Sequence, residues 1–247
     1  MPWSSAISVS SVEKAVDRVD NPLSPRTLPS HGAILGMFAK QPVAGRVKTR
    51  LTPPLHSRQA CTLYRIALQE SVTRFVGGPV PLVVCGAGRR AWFTRAFPAL
   101  PLYMQGRGDL GDRLARCTAA LFAGGGPVAV VGSDSPDLPL DLIDAAFAAL
   151  ASADVAVVAC RDGGYALLAL RQPAPGLFAD MPWSSAALLA ATRRRAALLG
   201  LRFVTVGEWD DLDDLAALQR LVLRSPACKT AQYVRAYLGS LLPSGCG

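Results

Sequence analysis

From residue 33 onward, short apolar runs alternate with longer helical patterns, and this alternation constrains the fold more than any other feature of the sequence. Such alternation is typical of parallel sheets, in which a helix returns the chain between successive strands. It therefore predicts an α/β fold with three layers, a mostly parallel central sheet with helices on both faces. We expect strands at 34–38, 81–85, 102–104, 128–132, 154–160, 165–170 and 202–206.

Helical patterns occupy most of the intervals between the predicted strands. Ser184 is a suitable N-cap for one of these helices, and Gly200 is a suitable residue to end it. We expect helices at 56–76, 89–97, 109–123, 140–151, 184–199 and 212–224, with another near 230–241.

The pattern divides the chain into three segments. Residues 1–31 are rich in Ser, Pro and charged residues, and we expect a poorly ordered N-terminal extension there. Residues 32–224 contain the alternation and are expected to form one ligand-binding domain. Residues 225–247 are expected to form a C-terminal helical tail.

The charge of the chain narrows the choice of ligand. A net charge of +8 calls for an anionic partner, which could be nucleic acid, an acidic membrane or a small phosphorylated molecule. Aromatic residues make up only 7% of the sequence and do not interleave with the basic ones, so we expect no nucleic-acid partner. No uninterrupted run of about 18 apolar residues occurs, so we expect no membrane span, and we expect no membrane partner either. A small phosphorylated ligand is favoured.

The cysteines and the N-terminus indicate the compartment. The six cysteines lie far apart without a CxxC pair, which disfavours structural zinc and a disulfide framework. The first residues lack the basic head and apolar stretch of a secretory signal. We therefore expect a cytoplasmic protein with reduced thiols.

The loop after the first predicted strand, residues 38–53, is dense in cations. Gly45 lets the backbone approach a ligand, and the loop does not have the GxxxxGK[ST] spacing of a Walker motif. Ligands of such sheets bind beyond the carboxyl ends of the strands, so we predict phosphate binding here, with an ordinary exposed basic loop as the alternative. The cations are Lys40, Arg46, Lys48 and Arg50.

Asp134 follows the fourth predicted strand directly. A carboxylate that ends a buried strand is well placed to hold Mg²⁺ against substrate phosphates, and we predict that role for it. Its alternative is a turn or a helix cap, and for Asp137 we favour the cap.

Three further loops follow strands. Gly106 and Asp109 lie in a glycine-rich stretch that suits a base, ribose or phosphate, although a plain turn capped by Asp109 would use the same residues. The segment 161–165 reads in isolation as an ordinary hairpin turn. Five carboxylates within 208–214 could supply a second metal ligand or favour the start of the next helix through its dipole.

Four ordered motifs, spanning roughly residues 33–222, resemble a bacterial family of glycosyltransferase-A-like proteins related to 2-phospholactate guanylyltransferase. They are FAKQPVAGRVKTRL, QGRGDLGDRL, VVGSDSPDLP, and DGGYALLAL followed by PWSS. The resemblance implies the Rossmann-like fold of the nucleotide-diphospho-sugar transferase superfamily, with 32–224 as a nucleotide-binding transferase domain that needs Mg²⁺ or Mn²⁺.

The resemblance also suggests roles for individual residues. Lys48 and Arg50 look like the family's phosphate-contacting cations, and Asp134 looks like its metal-binding aspartate. The related guanylyltransferases end with an Asp-x-Asp-Thr-Pro-x-Asp-Leu stretch, which is shorter here, and Asp213 takes the place of the second metal ligand. The implied acceptor-binding residues are Asp162, Gly163, Gly164 and Tyr165.

These observations lead to a hypothesis of nucleotidyl transfer, in which a nucleoside triphosphate reacts with a small phosphorylated acceptor and pyrophosphate is released. The density of cations favours a triphosphate, because the diphosphate of an NDP-sugar needs fewer. Lys48, Arg50 and Asp134 are the expected catalytic residues. A glycosyltransferase with an NDP-sugar donor is one alternative, and a non-catalytic nucleotide-binding protein is another.

Some features stay open at this level. The base, the acceptor and the oligomeric state do not follow from the sequence, and a homodimer is compatible with it. Met37, Tyr165 and Trp183 are expected to pack in the interior rather than shape the acceptor pocket.

Overall fold

The computed structural model describes residues 32–241, so the predicted extension at 1–31 and residues 242–247 lie outside the described part of the chain. Every predicted strand is present, with ends that differ by one or two residues. The strands are β1 (Ile34–Lys40), β2 (Leu82–Ala87), β3 (Leu102–Met104), β4 (Val128–Gly132), β5 (Val155–Ala159), β6 (Tyr165–Leu170) and β7 (Phe203–Glu208).

The helices also match the predicted pattern. They are α1 (Ser57–Val76), α2 (Arg90–Ala96), α3 (Leu110–Phe122), α4 (Leu140–Ala149), α5 (Leu188–Leu198), α6 (Leu215–Arg224) and α7 (Lys229–Leu238). None of the helices within residues 32–241 combines the length and hydrophobicity that spanning a bilayer would require.

The predicted start of α5 is wrong. Ser184 has a φ of 61°, whereas an N-cap residue needs an extended backbone, and the helix begins only at Leu188 with Ala187 as its N-cap. Its end is as predicted, because Gly200 has the φ of 70° that glycine adopts without strain.

The strands form one sheet in the order β3-β2-β1-β4-β6-β5-β7. All neighbouring strands are parallel except at β6, which runs antiparallel to both β4 and β5. With helices on both faces, this is the predicted three-layer, mostly parallel fold, which the structure confirms. The residues 160–164 therefore form the turn of a hairpin between β5 and β6.

The alternation of side chains along β1 shows how the sheet divides the core. Leu35, Met37 and Ala39 lie in the large cluster under α1 and α4, whereas Ile34 lies on the opposite face beneath α3. Such two-sided burial is expected of a central strand, whose successive side chains point to opposite faces.

The C-terminal helices form a further cluster on α1. Leu218 of α6 and Val234 of α7 are fully buried there, together with Leu63 of α1 and Leu51 from the loop after β1. The segment 225–241, predicted as a helical tail, is therefore packed onto the sheet domain through the residues that support this loop.

The topology brings three chain segments to one edge of the sheet. Phe38 of β1 is in register with Gly132 of β4, so the loops after these two strands start side by side. The segment after β7 returns across the edge, where the Leu212 backbone N–H donates to the Asp134 carbonyl oxygen at 2.8 Å. Any ligand bound beyond β1 and β4 would contact all three segments.

Candidate active site

A cleft of about 500 Å³ opens at this edge of the sheet. Its floor comes from the ends of β1 and β4, and its walls come from the loop after β1, the start of α3 and the segment before α5. The side chains that line it are both charged and apolar: Phe38, Lys40, Val47, Lys48, Arg50, Tyr64, Gln105, Leu110, Arg113, Ser133, Asp134, Trp183, Ser184 and Asp213.

The loop after β1 is anchored by apolar side chains on either side of Lys48. Val47 and Leu51 are buried at 5% and 0% exposure, which fixes the loop against the core. Between them the Lys48 backbone adopts a left-handed conformation with φ 49° and ψ 42°, and the Lys48 side chain is only 3% exposed. The loop therefore holds this lysine in one buried position.

Two carboxylates converge on the Lys48 ammonium group. Its Nζ lies 2.9 Å from Asp134 Oδ1 and 3.1 Å from Asp213 Oδ1. The second oxygen of Asp213 lies 3.3 Å from Nη1 of Arg50, which is about half exposed. Two cations and two anions thus form one connected group at the carboxyl ends of β1 and β4.

This group keeps Lys48 charged. Burial alone would lower the pKa of the lysine, but the adjacent charges of Asp134 and Asp213, and their hydrogen bonds to the ammonium, outweigh it and raise the pKa. Lys48 is therefore a permanent cation at any physiological pH.

The carboxylate of Asp211 connects the two chain segments that carry the candidate metal ligands. The Ser135 hydroxyl donates to Asp211 Oδ1 at 2.6 Å, which joins the residue after Asp134 to the segment that carries Asp213. Burial raises the pKa of Asp211 to about 6, opposed by the Ser135 hydrogen bond and supported by the charges of Asp134 and Asp213.

Tyr64 of α1 reaches the floor of the cleft, a position that we did not predict. Its hydroxyl accepts from the Lys40 backbone N–H at 2.9 Å and lies 2.9 Å from the Ser133 hydroxyl, so it joins β1 to β4. Burial and the nearby charge of Asp134 raise the pKa of this phenol, which therefore stays neutral. A tyrosine within an ordinary amphipathic helix carries no local signal of such a role.

Other residues that line the cleft come from the segment before α3, from α3 itself and from the segment before α5. Gln105 is buried, and its side-chain amide donates to the Cys85 carbonyl oxygen at 2.7 Å. Arg113 and Leu110 come from the first turn of α3. Trp183 packs against the core, the interpretation favoured for it, and it also lines the cleft.

The structure brings five of the predicted site residues into the cleft. They are Lys40, Lys48, Arg50, Asp134 and Asp213. Gly45 and Arg46 lie on the exposed outer part of the same loop, and Gly106 lies in the turn before α3; none of these three lines the cleft. Their contact with a nucleotide stays a prediction.

Asp109 caps α3, which is the alternative that the sequence offered for it. Its carboxylate accepts from the Asp112 backbone N–H at 2.9 Å, and the Asp112 carboxylate accepts in return from the Asp109 N–H at 3.2 Å. This reciprocal pair is a capping box at the start of α3. The aspartate therefore caps the helix whether or not it also meets a ligand.

Of the predicted acceptor-binding residues, three lie in the β5–β6 turn and Tyr165 begins β6, and none of the four lines the cleft. Asp162 Oδ1 accepts from the Gly164 backbone N–H at 2.9 Å, which closes the turn. The Gly163 carbonyl accepts from the Leu189 N–H at 2.8 Å, which ties the turn to α5. Tyr165 packs in the core with its hydroxyl buried. Their role toward an acceptor stays a prediction.

The acidic stretch 208–214 was predicted either to supply a metal ligand or to favour the start of the next helix. Its residues differ, and each interpretation fits one of them. Asp213 faces Lys48, whereas Asp214 caps α6 by accepting from the Ala217 N–H at 2.7 Å. Asp210 pairs with Arg224 at 3.2 Å. The predicted cap role of Asp137 is wrong: it binds Arg224 instead, and Pro139 precedes α4.

The residues at Lys48 fit a divalent metal. Asp134 and Asp213 direct one oxygen each toward a common point, now taken by the ammonium, and carboxylate oxygens are the ligands that Mg²⁺ prefers. Within residues 32–241 no group of three or more His, Cys, Asp or Glu side chains is arranged around a common metal position. The pair therefore suits an ion that takes one or two carboxylates and completes its shell with phosphates and water.

Comparisons with known proteins place the fold. Residues 68–185 match a family model described as an uncharacterized protein conserved in bacteria (DUF2064). A comparison with curated proteins gives no match.

Among solved structures, one from Desulfovibrio desulfuricans G20, whose assignment as a nucleotide-diphospho-sugar transferase is itself provisional, is 27% identical with a TM-score of 0.77; the match covers 86% of this chain and 97% of that one.

Two more distant structures share the fold at low sequence identity. A cytidylyltransferase from Leptospira borgpetersenii is 10% identical, with a TM-score of 0.53 over 87% of this chain and 98% of that one. The bifunctional IspDF from Campylobacter jejuni is 12% identical, with a TM-score of 0.53 over 77% of this chain and 54% of that one. The chain thus has the fold of the nucleotide-diphospho-sugar transferase superfamily.

Proposed function

We propose that the protein is a Mg²⁺-dependent nucleotidyltransferase that joins a nucleoside triphosphate to a small phosphorylated acceptor and releases pyrophosphate. The observation that carries the proposal is the group at the cleft floor, where Lys48 and Arg50 adjoin Asp134 and Asp213. A triphosphate needs cations and a divalent ion, and this group offers two cations and two carboxylates that could hold the ion. The superfamily fold supports the assignment, although it also hosts glycosyltransferases.

The chain's own residues would act mainly by position and charge. Lys48 and Arg50 would bind the phosphates and stabilise the charge that gathers on the departing pyrophosphate. Asp134 and Asp213 would hold Mg²⁺, which supplies charge neutralisation and alignment of the phosphates when bound. Tyr64 stays neutral and keeps the ends of β1 and β4 together beneath them.

The reaction balances without a general base. An anionic oxygen of the acceptor phosphate attacks the α-phosphorus of the triphosphate, and a new P–O bond forms. The bond from the α-phosphorus to the bridging oxygen breaks, and pyrophosphate leaves with that oxygen and its electron pair. An ionised acceptor phosphate has no proton to lose, so the step needs no histidine at the cleft.

The proposal is tested by calorimetry with GTP, CTP, UTP and ATP against UDP- and GDP-sugars, with and without Mg²⁺, and by a pyrophosphate-release assay. We expect metal-dependent binding of one triphosphate. Preference for an NDP-sugar without pyrophosphate release would favour glycosyl transfer, and tight binding without turnover would favour a non-catalytic protein. The resemblance to guanylyltransferases makes GTP the first triphosphate to test.

Substitutions then connect any activity to the cleft. We expect Asp134→Asn and Lys48→Ala to reduce kcat/KM by about 100-fold or more, because each removes a charge that stabilises the transition state. Arg194→Ala, an exposed arginine of α5, is the matched control and should leave kcat/KM unchanged. Unchanged turnover in the two cleft variants would contradict the proposal.

A further inference from the structure

The position of Lys48 raises a question that the proposed function leaves open. Its ammonium group lies between the same two carboxylates that fit the metal, at 2.9 Å from one and 3.1 Å from the other. An ammonium and a Mg²⁺ ion cannot share that point, because both bring positive charge to the same pair of oxygens. The two cations therefore compete for Asp134 and Asp213.

In the free protein, the structure favours the Lys48 ammonium over a metal ion at this position. Lys48 is 3% exposed, whereas Asp134 and Asp213 are 38% and 40% exposed, so the ammonium lies beneath the carboxylates rather than above them. The buried neighbours Val47 and Leu51 hold the loop in this arrangement, although Lys48 has a left-handed backbone that a side chain disfavours. A strained residue that is held in place can be released when a ligand offers it a better partner.

The charges around Lys48 indicate which ligand would draw its ammonium group away from the two carboxylates. Asp134 and Asp213 carry two negative charges, and Lys48 and Arg50 carry two positive ones, so the group is neutral as it stands. A free divalent cation meets no excess of negative charge from these four side chains. A polyphosphate gives both cations new partners and leaves the carboxylate pair with its full charge for a metal.

We propose that Lys48 is an internal counter-cation that excludes free divalent metal from Asp134 and Asp213 until a nucleotide polyphosphate draws its ammonium away. The ligand that the site accepts is then the metal–nucleotide complex, and metal alone binds poorly. This inference rests on the proposed function for the identity of the polyphosphate. It concerns the state of the protein before any reaction.

The test is Mn²⁺ binding to the nucleotide-free protein, followed by electron paramagnetic resonance of the unbound ion. We expect the wild type to bind Mn²⁺ weakly and Lys48→Met to bind it at least about tenfold more tightly, because the carboxylate pair has lost its counter-cation. The added substitution Asp213→Asn in the Lys48→Met background should abolish the gain. Lys48→Gln, which retains a hydrogen-bond donor, is the second variant if Lys48→Met does not fold.

A matched control separates this mechanism from a general loss of positive charge. Lys40 lines the same cleft but forms no ion pair with another described residue, so Lys40→Met removes one charge without vacating the carboxylate pair. We expect Lys40→Met to change Mn²⁺ affinity less than about threefold. Equal gains in Lys40→Met and Lys48→Met would overturn the inference, as would tight Mn²⁺ binding by the wild type without nucleotide.

The measurement also distinguishes the two proposals. If the protein neither binds nor turns over a nucleotide, the proposed function fails, yet the gain of Mn²⁺ affinity in Lys48→Met would still show the competition. If nucleotidyl transfer is found but Lys48→Met gains no Mn²⁺ affinity, the function stands and this inference falls.

Discussion

The ionised carboxylate of Asp211 destabilises the folded protein because of where it lies. Burial raises its pKa to about 6 from an ordinary value of 3.8, and the charges of Asp134 and Asp213 work in the same direction. Between these two pH values the folded protein holds the proton more tightly than the unfolded chain does. This carboxyl therefore makes no difference to stability at low pH and destabilises the fold increasingly as the pH rises from about 4 to about 6.

Asp211→Asn should remove that pH dependence. The asparagine can still accept from the Ser135 hydroxyl but never ionises. The free energy of unfolding of the variant should therefore rise relative to that of the wild type as the pH increases from 4.5 to 7.5. A difference of about two pH units in pKa corresponds to a gain on the order of 3 kcal/mol. Urea unfolding in EDTA at both pH values measures it, and a constant difference would show that Asp211 ionises normally.

Gly163 and Gly200 offer a matched pair of glycines. Both have a positive φ, 86° and 70°, so a substitution to alanine strains either backbone. A Cβ at Gly200 meets open space, whereas a Cβ at Gly163 would overlap the carbonyl oxygen of Ala186. The close approach holds the β5–β6 turn against the segment that carries Trp183 into the cleft.

Alanine at the two positions should therefore have unequal effects. We expect Gly200→Ala to lower the free energy of unfolding by about 1 kcal/mol and Gly163→Ala to lower it by about 2–4 kcal/mol, since backbone atoms must move as well. Thermal unfolding of both variants measures the difference. Equal losses would mean that the turn and the start of α5 adjust freely.

At the scale of elements, one arginine of α6 joins the helix to two strand ends. Arg224 Nε lies 2.8 Å from Asp137 Oδ2 after β4, and its Nη1 lies 3.2 Å from Asp210 Oδ2 after β7. Its guanidinium also lies over the Trp209 ring, 4.3 Å from the centroid. The side chains of Asp137 and Asp210 are 1% and 9% exposed, so the arginine neutralises two carboxylates that water barely reaches.

Arg224→Met should destabilise the protein severely. Loss of one partner leaves a buried charge uncompensated, and such losses cost about 3–5 kcal/mol. Arg220→Met is the control, because Arg220 is 40% exposed and pairs with Asp210 alone, so its loss should cost about 1 kcal/mol. Chemical denaturation of both variants decides the matter, and similar losses would show that the network contributes little beyond a surface ion pair.

The same elements show what the sequence could predict. Periodicity located all seven strands between residues 32 and 241, because burial on both faces of β1, β4 and β5 requires continuous apolar runs. The rule that ligands bind beyond the carboxyl ends of parallel strands led to Lys48 and Asp134.

The remaining features depend on contacts that local sequence does not contain. Tyr64 reaches the cleft from within a helix, and Asp137 is bound by an arginine far along the chain. Ser184 has the chemistry of a cap but a left-handed backbone. Asp213 could be placed only as one of two alternatives, since the choice depends on how the segment after β7 crosses back to β4.

At the scale of the whole molecule, the C-terminal helix supports the active-site loop. The cluster beneath α7 contains Leu51, which follows Arg50 directly, together with Leu63 of α1. Val234 and Leu238 of α7 close this cluster from outside. The boundary predicted at residue 224 would therefore separate a loop that carries the proposed phosphate-binding cations from the helix that covers its anchor.

A chain that ends at Arg224 tests whether that boundary is real. Truncation removes α7, and each large aliphatic side chain lost from a core costs about 2–5 kcal/mol. Val234 and Leu238 together thus account for much of the 5–15 kcal/mol that typically stabilises a domain. We expect the truncated chain to lose its cooperative thermal transition by circular dichroism, whereas a chain that ends at Leu241 retains it. A truncated chain with an unchanged Tm would instead establish 32–224 as a domain that folds without the tail, and its nucleotide affinity would then show whether the loop needs the helix.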